Sequence, residues 1–238
     1  MYLCGLIMSN DYFRFKKFTI RQHLTAMKVG TDGTLLGAWA NGGSRILDIG
    51  TGTGLIALMM AQRFPNARLT AIDIDSDAVQ QAEENINNTE YCDRITVVQG
   101  DVRCASFDGE FDAIVTNPPY FNNALPCSSE QRSTARHTTT LSYRELMTAA
   151  NRLLSDDGEL SVVIPSDCRQ QMISEAVLLG FFLKRECSVQ TTPNKAPRRY
   201  LLSFVRHSTA MQLETGVIET SPGKRSEWYD TLTRDFYL

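Results

Sequence analysis

The chain has no C-x-x-C pair, although it has six cysteines, Cys4, Cys92, Cys104, Cys127, Cys168 and Cys187. Scattered thiols without paired spacing exclude a zinc module and argue against a disulfide framework, so a reduced, cytoplasmic protein without a metal is expected. No run of apolar residues is long enough to cross a membrane. The apolar start, residues 1–7, has no basic n-region and no small-residue cleavage site, so it reads as an extension and not a signal peptide. Internal repeats, low-complexity segments and an interdomain linker are absent. Positive charge is not in excess either: the net charge is −3 over 238 residues. A nucleic-acid partner would therefore have to meet local basic patches.

What is present is an alternation of strand and helix patterns. Strands are expected at Arg45–Ile49, Arg68–Asp73, Arg94–Val98, Phe111–Val115, Glu159–Ile164, Phe182–Val189 and Tyr200–Arg206. Helices are expected at 34–40 with Thr31 or Asp32 as cap, at 55–64, and at 76–88 with Ser76 as cap. Further helices are expected from the capping box Ser142–Glu145 to about Leu154, at 166–179 and at 226–238. Asp156-Asp157-Gly158 reads as a turn. Seven strands interleaved with helices imply an α/β fold with a doubly wound, mostly parallel sheet. Residues 1–27 read as an N-terminal extension with a basic strand, and 28–238 as the main domain.

The stretch that asks for a function is Thr116-Asn117-Pro118-Pro119-Tyr120. It follows an apolar strand, on the sheet edge where α/β proteins bind ligands. Two prolines remove two backbone donors and stiffen the loop, and Asn117 is held extended before Pro118. Such a loop can accept hydrogen bonds from a flat amino-bearing group and stack on its face.

The glycine turn Gly50-Thr51-Gly52-Thr53-Gly54, between a strand and a helix, is ambiguous. Gly52-x-Gly54-x-x-Ala57 fits a dinucleotide fingerprint. Asp48, two residues before the glycines, would repel a pyrophosphate and suit an ammonium group, or serve simply as a turn carboxylate. Asp73, at the next strand end, suits a ribose diol, and Asp101, at the third, an adenine amino group.

Glycine turn, strand-end acids and the Asn117–Tyr120 loop, in that order, resemble the class I S-adenosylmethionine-dependent methyltransferases with an Asn-Pro-Pro-Tyr motif. The resemblance implies a Rossmann-like fold with S-adenosyl-L-methionine held by Asp48, Gly50, Gly52, Gly54, Asp73, Asp101 and Asn117. It also implies methyl transfer to a conjugated nitrogen at Asn117, Pro118, Pro119 and Tyr120. The lone pair would be drawn out by the Asn117 side-chain oxygen and the Pro118 carbonyl, with Tyr120 stacked on the target.

The target classes of such loops are adenine in DNA or RNA, guanine in ribosomal RNA, and glutamine in release factors. The chain has no room for a DNA-recognition region. It has Tyr120 where the guanine enzymes resembled show phenylalanine or leucine, and a basic strand-like N-terminus where the glutamine enzymes carry helices. Phe15–Gln22, Met27–Gly33, Asn117–Phe121, Ala135-Arg136-His137 and Asp235–Leu238 resemble the bacterial enzymes that make N6-methyladenosine at position 37 of valine tRNA. That resemblance implies a monomer binding a tRNA anticodon stem-loop. Phosphates would be gripped by Arg14, Lys16, Lys17, Arg21, Lys28, Arg132, Arg136, Arg198 and Arg199. A protein glutamine methyltransferase, a ribosomal RNA guanine methyltransferase and a non-catalytic RNA-binding, cofactor-sensing module are the alternatives. Polar residues 121–140 read as a long loop of the kind that serves as a lid, a binding loop or a disordered segment.

Overall fold

In a computed structural model, residues 11–25, 27–118 and 141–238 are described. The first described element is a hairpin, β1 (Tyr12–Arg14) against β2 (Thr19–Arg21). Helix α1 (Thr31–Trp39) leads to β3 (Arg45–Ile49), α2 (Leu55–Arg63), β4 (Arg68–Asp73), α3 (Ser76–Asn87), β5 (Ile95–Gln99) and β6 (Phe111–Thr116). After the undescribed segment come α4 (Tyr143–Leu153), β7 (Leu154–Pro165), α5 (Arg169–Leu178), β8 (Phe182–Gln190) and β9 (Arg199–Val205). The last elements are β10 (Gln212–Val217), a small ribbon of β11 (Glu219–Ser221) and β12 (Lys224–Arg225), and α6 (Glu227–Thr233).

The central sheet runs β10-β8-β9-β7-β6-β3-β4-β5. From β7 to β5 every pairing is parallel, whereas β9 is antiparallel to both β7 and β8. All seven expected strands are there, and an eighth, β10, adds to the edge alongside β8. Successive strand residues face opposite layers. Ile46, Ala113 and Val115 pack with α1, α2 and the N-terminal hairpin, and Leu47, Ile49 and Ile114 pack with α4 and α5. Phe15 and Ile20 of the hairpin region are sealed in the first of these layers, where Phe15 stacks on Tyr237 at a centroid distance of 5.6 Å.

Several local expectations are corrected. Helix α1 is capped by Gly30, since Thr31 and Asp32 are already helical, and no side chain caps it. Helix α3 is capped by Asp75, which accepts from the Asp77 N–H at 3.0 Å, and not by Ser76, which is the first helical residue. Asp156-Asp157-Gly158 does not interrupt the chain: β7 runs through it, and the register against β6 jumps from Phe111↔Leu154 to Ala113↔Glu159. The extra residues are absorbed as a bulge. The capping box at Ser142 and Glu145 forms as expected.

Strand order places the site. The chain goes from β3 outward through β4 and β5, then returns to β6 on the other side of β3. That reversal opens a crevice beyond the C-terminal ends of β3 and β6, where open α/β sheets take ligands.

Candidate active site

The crevice holds a cavity of about 310 Å³. Its walls include Gly50, Gly52, Asp73, Asp101, Asn117 and Pro118. Four strands deliver them. Gly50 and Gly52 follow β3, Asp73 ends β4, Asp101 lies two residues past β5, and Asn117 directly follows β6. Thr116 locks the last of these ends to β3, its hydroxyl donating to the Ile49 carbonyl at 2.8 Å.

Gly50 and Gly52 have φ of +69° and +55°, in the left-handed region that disfavours side chains, and a Cβ at either would meet nothing within 4 Å. The turn is thus bent sharply and kept bare on its outer face. Asp73 holds it, with Oδ2 accepting from the Gly52 N–H at 2.9 Å and Oδ1 from the Asp75 N–H at 3.0 Å. Gly54, at the cap of α2, approaches Ala82 of α3 and lines neither this cavity nor its neighbour.

Asp48 is fully buried under the turn and lines neither hollow. Its Oδ2 accepts from the Thr51 hydroxyl at 2.7 Å and the Ala57 N–H at 3.2 Å. Those are the bonds of a turn carboxylate. Burial pushes its pKa up to about 7, partly offset by the Thr51 and Ala57 donors, and the charge on Asp73 adds to the rise. Asp101 goes the other way. Arg103 donates to it from Nε and Nη2, and these bonds hold the Asp101 carboxyl below the usual range.

A second hollow of about 370 Å³ adjoins the first and shares Met27, Gly50, Gly52 and Asn117 with it. Asn117 therefore stands on a wall common to both, and its amide donates to the Met27 sulfur at 3.9 Å. Lys28 and Arg199 also line this second hollow, and Arg199 is paired with Asp32 at 2.7 Å.

The other expected phosphate-gripping cations lie apart. Arg14, Lys16 and Lys17 sit on and beside the N-terminal hairpin, where the Lys16 ammonium donates to the Arg234 carbonyl. Arg21 pairs with Glu84 at 3.0 Å, and the Lys28 ammonium donates to the Gln22 carbonyl. Arg198 is exposed in the loop before β9. Pro119, Tyr120, Arg132 and Arg136 lie outside the described residues. Among the described residues no group of three or more metal-ligating side chains converges, and no helix is long and apolar enough to cross a membrane.

Sequence reasoning missed Thr25, Met27, Arg103 and Leu141, all of which face the first cavity. The wall carrying Thr25 and Met27 is stitched down by polar residues of α3. Gln81 accepts from the Leu24 N–H at 3.0 Å, and Asn85 binds both the N–H and the carbonyl of Arg21 at 2.8 Å. Both side chains are buried. Two amides four residues apart on an otherwise apolar helix face were the available signal.

The sequence model of the methyltransferase small domain family matches residues 33–192, and the chain belongs to that family. Nearly full-length relatives carry a more particular name. A tRNA1(Val) (adenine(37)-N6)-methyltransferase of Phocaeicola vulgatus is 46% identical over 233 residues, covering 97% of this chain and 99% of its own. One of Histophilus somni is 42% identical over 231 residues, covering 95% and 97%. The fold is similar to that of a predicted O-methyltransferase from Agrobacterium tumefaciens, with a TM-score of 0.66 and 19% identity over 86% of this chain and 96% of that one. It is also similar to the glycopeptide N-methyltransferase MtfA complexed with S-adenosyl-L-methionine, with a TM-score of 0.57 and 14% identity over 76% and 90%. At such identities the structural likeness speaks for the fold alone.

Proposed function

We propose that this protein transfers a methyl group from S-adenosyl-L-methionine to N6 of an adenine in tRNA. The target is adenosine 37 in the anticodon loop of valine tRNA, and the enzyme acts as a cytoplasmic monomer. The observation that carries the reading is the place of Asn117 on the wall common to two adjoining hollows. A group held on one side can there meet a group held on the other. The nearly full-length relatives select adenine in tRNA among the targets.

The residues present fit the donor. The bare outer face of Gly50 and Gly52 admits a ligand against the backbone, Asp73 can accept from a ribose diol and Asp101 from an amino group. Asp48 braces the turn from beneath. Bound S-adenosylmethionine supplies an electrophilic methyl group. Asn117 and Pro118 do the rest by orientation: the side-chain oxygen and the carbonyl accept from the adenine amino group and aim its nitrogen lone pair. Tyr120 keeps the stacking role its motif implies, as for a base splayed from a single-stranded loop. Asn117 is no base, so the proton released from the amino group passes to water.

Incubation with labelled S-adenosylmethionine and unmodified tRNA, followed by nucleoside digestion, tests this. N6-methyladenosine in valine tRNA is expected. Its absence from every tRNA overturns the reading, and label in a protein acceptor would point to glutamine.

A further inference from the structure

The Asp101 carboxylate, expected to read an adenine amino group, is held from within the protein. Arg103 wraps back on it. The Arg103 N–H donates to Oδ1 at 2.9 Å, Nε to Oδ1 at 2.9 Å and Oδ2 at 2.8 Å, and Nη2 to Oδ2 at 2.6 Å. The same guanidinium also bonds α4, its Nη1 donating to Glu145 Oε1 at 3.2 Å. Glu145 is itself fixed. Its other oxygen accepts from the Ser142 N–H at 2.8 Å and the Ser142 hydroxyl at 2.6 Å, the capping box that opens α4. Arg103 also lines the cavity beside Asp101.

We infer that Arg103 is a positioning residue: it clamps the Asp101 carboxylate, anchored through Glu145 to α4, in the orientation that selects a 6-amino purine in the cofactor. The inference rests on the proposed role of Asp101 and goes beyond it, by assigning the selectivity to the clamp and not to the carboxylate alone.

The chemistry supports this. A carboxylate at the edge of an open cavity has several rotamers and competes for water. A planar guanidinium gripping it from one side leaves only the far lone pairs for a ligand. Those lone pairs can only accept. Because the clamp also favours the charged form, Asp101 stays an acceptor across the physiological pH range. A donor such as the 6-amino group is then favoured over a purine without one. A lysine at 103 would keep the charge but lose the fork. Partial rescue by lysine is therefore a signature of positioning.

Calorimetry on the full chain can test this with two probes. One is S-adenosyl-L-homocysteine, and the other is its analogue with hydrogen in place of the purine amino group. In Arg103→Met, affinity for S-adenosyl-L-homocysteine should fall about tenfold, the scale of a charge-assisted hydrogen bond, while affinity for the deamino analogue stays near that of the wild type. Arg103→Lys should lie between. In an Asp101→Ala background, Arg103→Met should cost nothing further. Equal losses for the two probes would make Arg103 a merely structural residue and overturn the inference. So would wild-type affinity in Arg103→Met with weakened binding in Asp101→Ala, an outcome that leaves the role of Asp101 intact. Undiminished binding in Asp101→Ala would remove the amino-group reading of Asp101, and the clamp with it.

Discussion

At the β10-β8-β9-β7 end of the sheet, where β9 runs against its neighbours, three glutamates within strands each meet a cation. Glu159 of β7 pairs with Lys184 at 2.9 Å, Glu186 of β8 with Arg169 at 2.7 Å, and Glu214 of β10 with Arg185 at 3.2 Å. In the parallel half, Asp48 and Asp73 sit at or next to strand ends, and among the described residues neither pairs with a cation. They accept instead from the backbone N–H groups of Ala57, Gly52 and Asp75 and from the Thr51 hydroxyl. An ion pair spends a carboxylate's charge on the fold. A backbone N–H shapes a turn and leaves some lone pairs in place. Asp101 stands between these patterns, with a cation of its own but on the ligand side of the sheet.

The sharpest break between the halves should appear in pH dependence. Asp48 has a pKa of about 7 in the fold against an ordinary 3.8. Between those values the folded chain keeps a proton that the unfolded chain has lost. The stability linked to this group is therefore whole below about pH 4 and lost as pH rises through about 7. Asp48→Asn stays neutral throughout. Its advantage over the wild type should grow from pH 4 to pH 8 by on the order of a few kcal/mol. Urea denaturation at several pH values reads this directly, and parallel profiles for the two proteins would refute it.

Next in size is Asn117→Ala. Losing the amide that orients the target should slow methyl transfer by about a hundredfold, the scale of a misaligned reacting pair. Single-turnover rates at saturating cofactor and tRNA measure it, and a loss under threefold would remove Asn117 from the chemistry.

In the other half, Lys184→Ala leaves Glu159, whose side chain is 7% exposed, with the Asn41 amide as its one remaining side-chain partner among the described residues. Lys184 itself is partly in solvent, so the cost should be about 1–2 kcal/mol. Calorimetric unfolding checks this. Cofactor affinity should not move, and if it did, the two halves would not be separable.

Much of this contrast was legible beforehand, for a physical reason. Strands β3 and β4 are covered on both faces, so their sequences are nearly unbroken apolar runs and their ends came out to the residue. Asp73 and Asn117 followed, because a strand end on the crevice side is fixed once the strand is. Strand β10 was not legible. Gln212-Leu-Glu-Thr-Gly-Val is an edge strand with exposed polar residues, and Leu213 is 68% exposed. The Asp156–Gly158 turn was misread because a bulge and a turn use the same residues. Met27 was missed because no local pattern marks it, and Arg103 because an acid and a base two residues apart in a loop are common on any surface.

The smallest effect concerns the cations. Arg21 and Arg199 are engaged by Glu84 and Asp32, so a phosphate would have to compete for them. Arg14 and Lys17 are exposed and make no ion pair among the described residues. Free charges release counterions on binding, whereas charges already neutralised by the protein release few. Replacing Arg14 and Lys17 together by alanine should reduce the slope of log affinity for tRNA against log salt by about 1.5, with only a few-fold loss at physiological salt. Replacing Arg21 should change the slope less. Filter binding across a salt series separates the cases. An unchanged slope in the double variant would take the N-terminal hairpin off the RNA surface and leave recognition to the charges around Asn117.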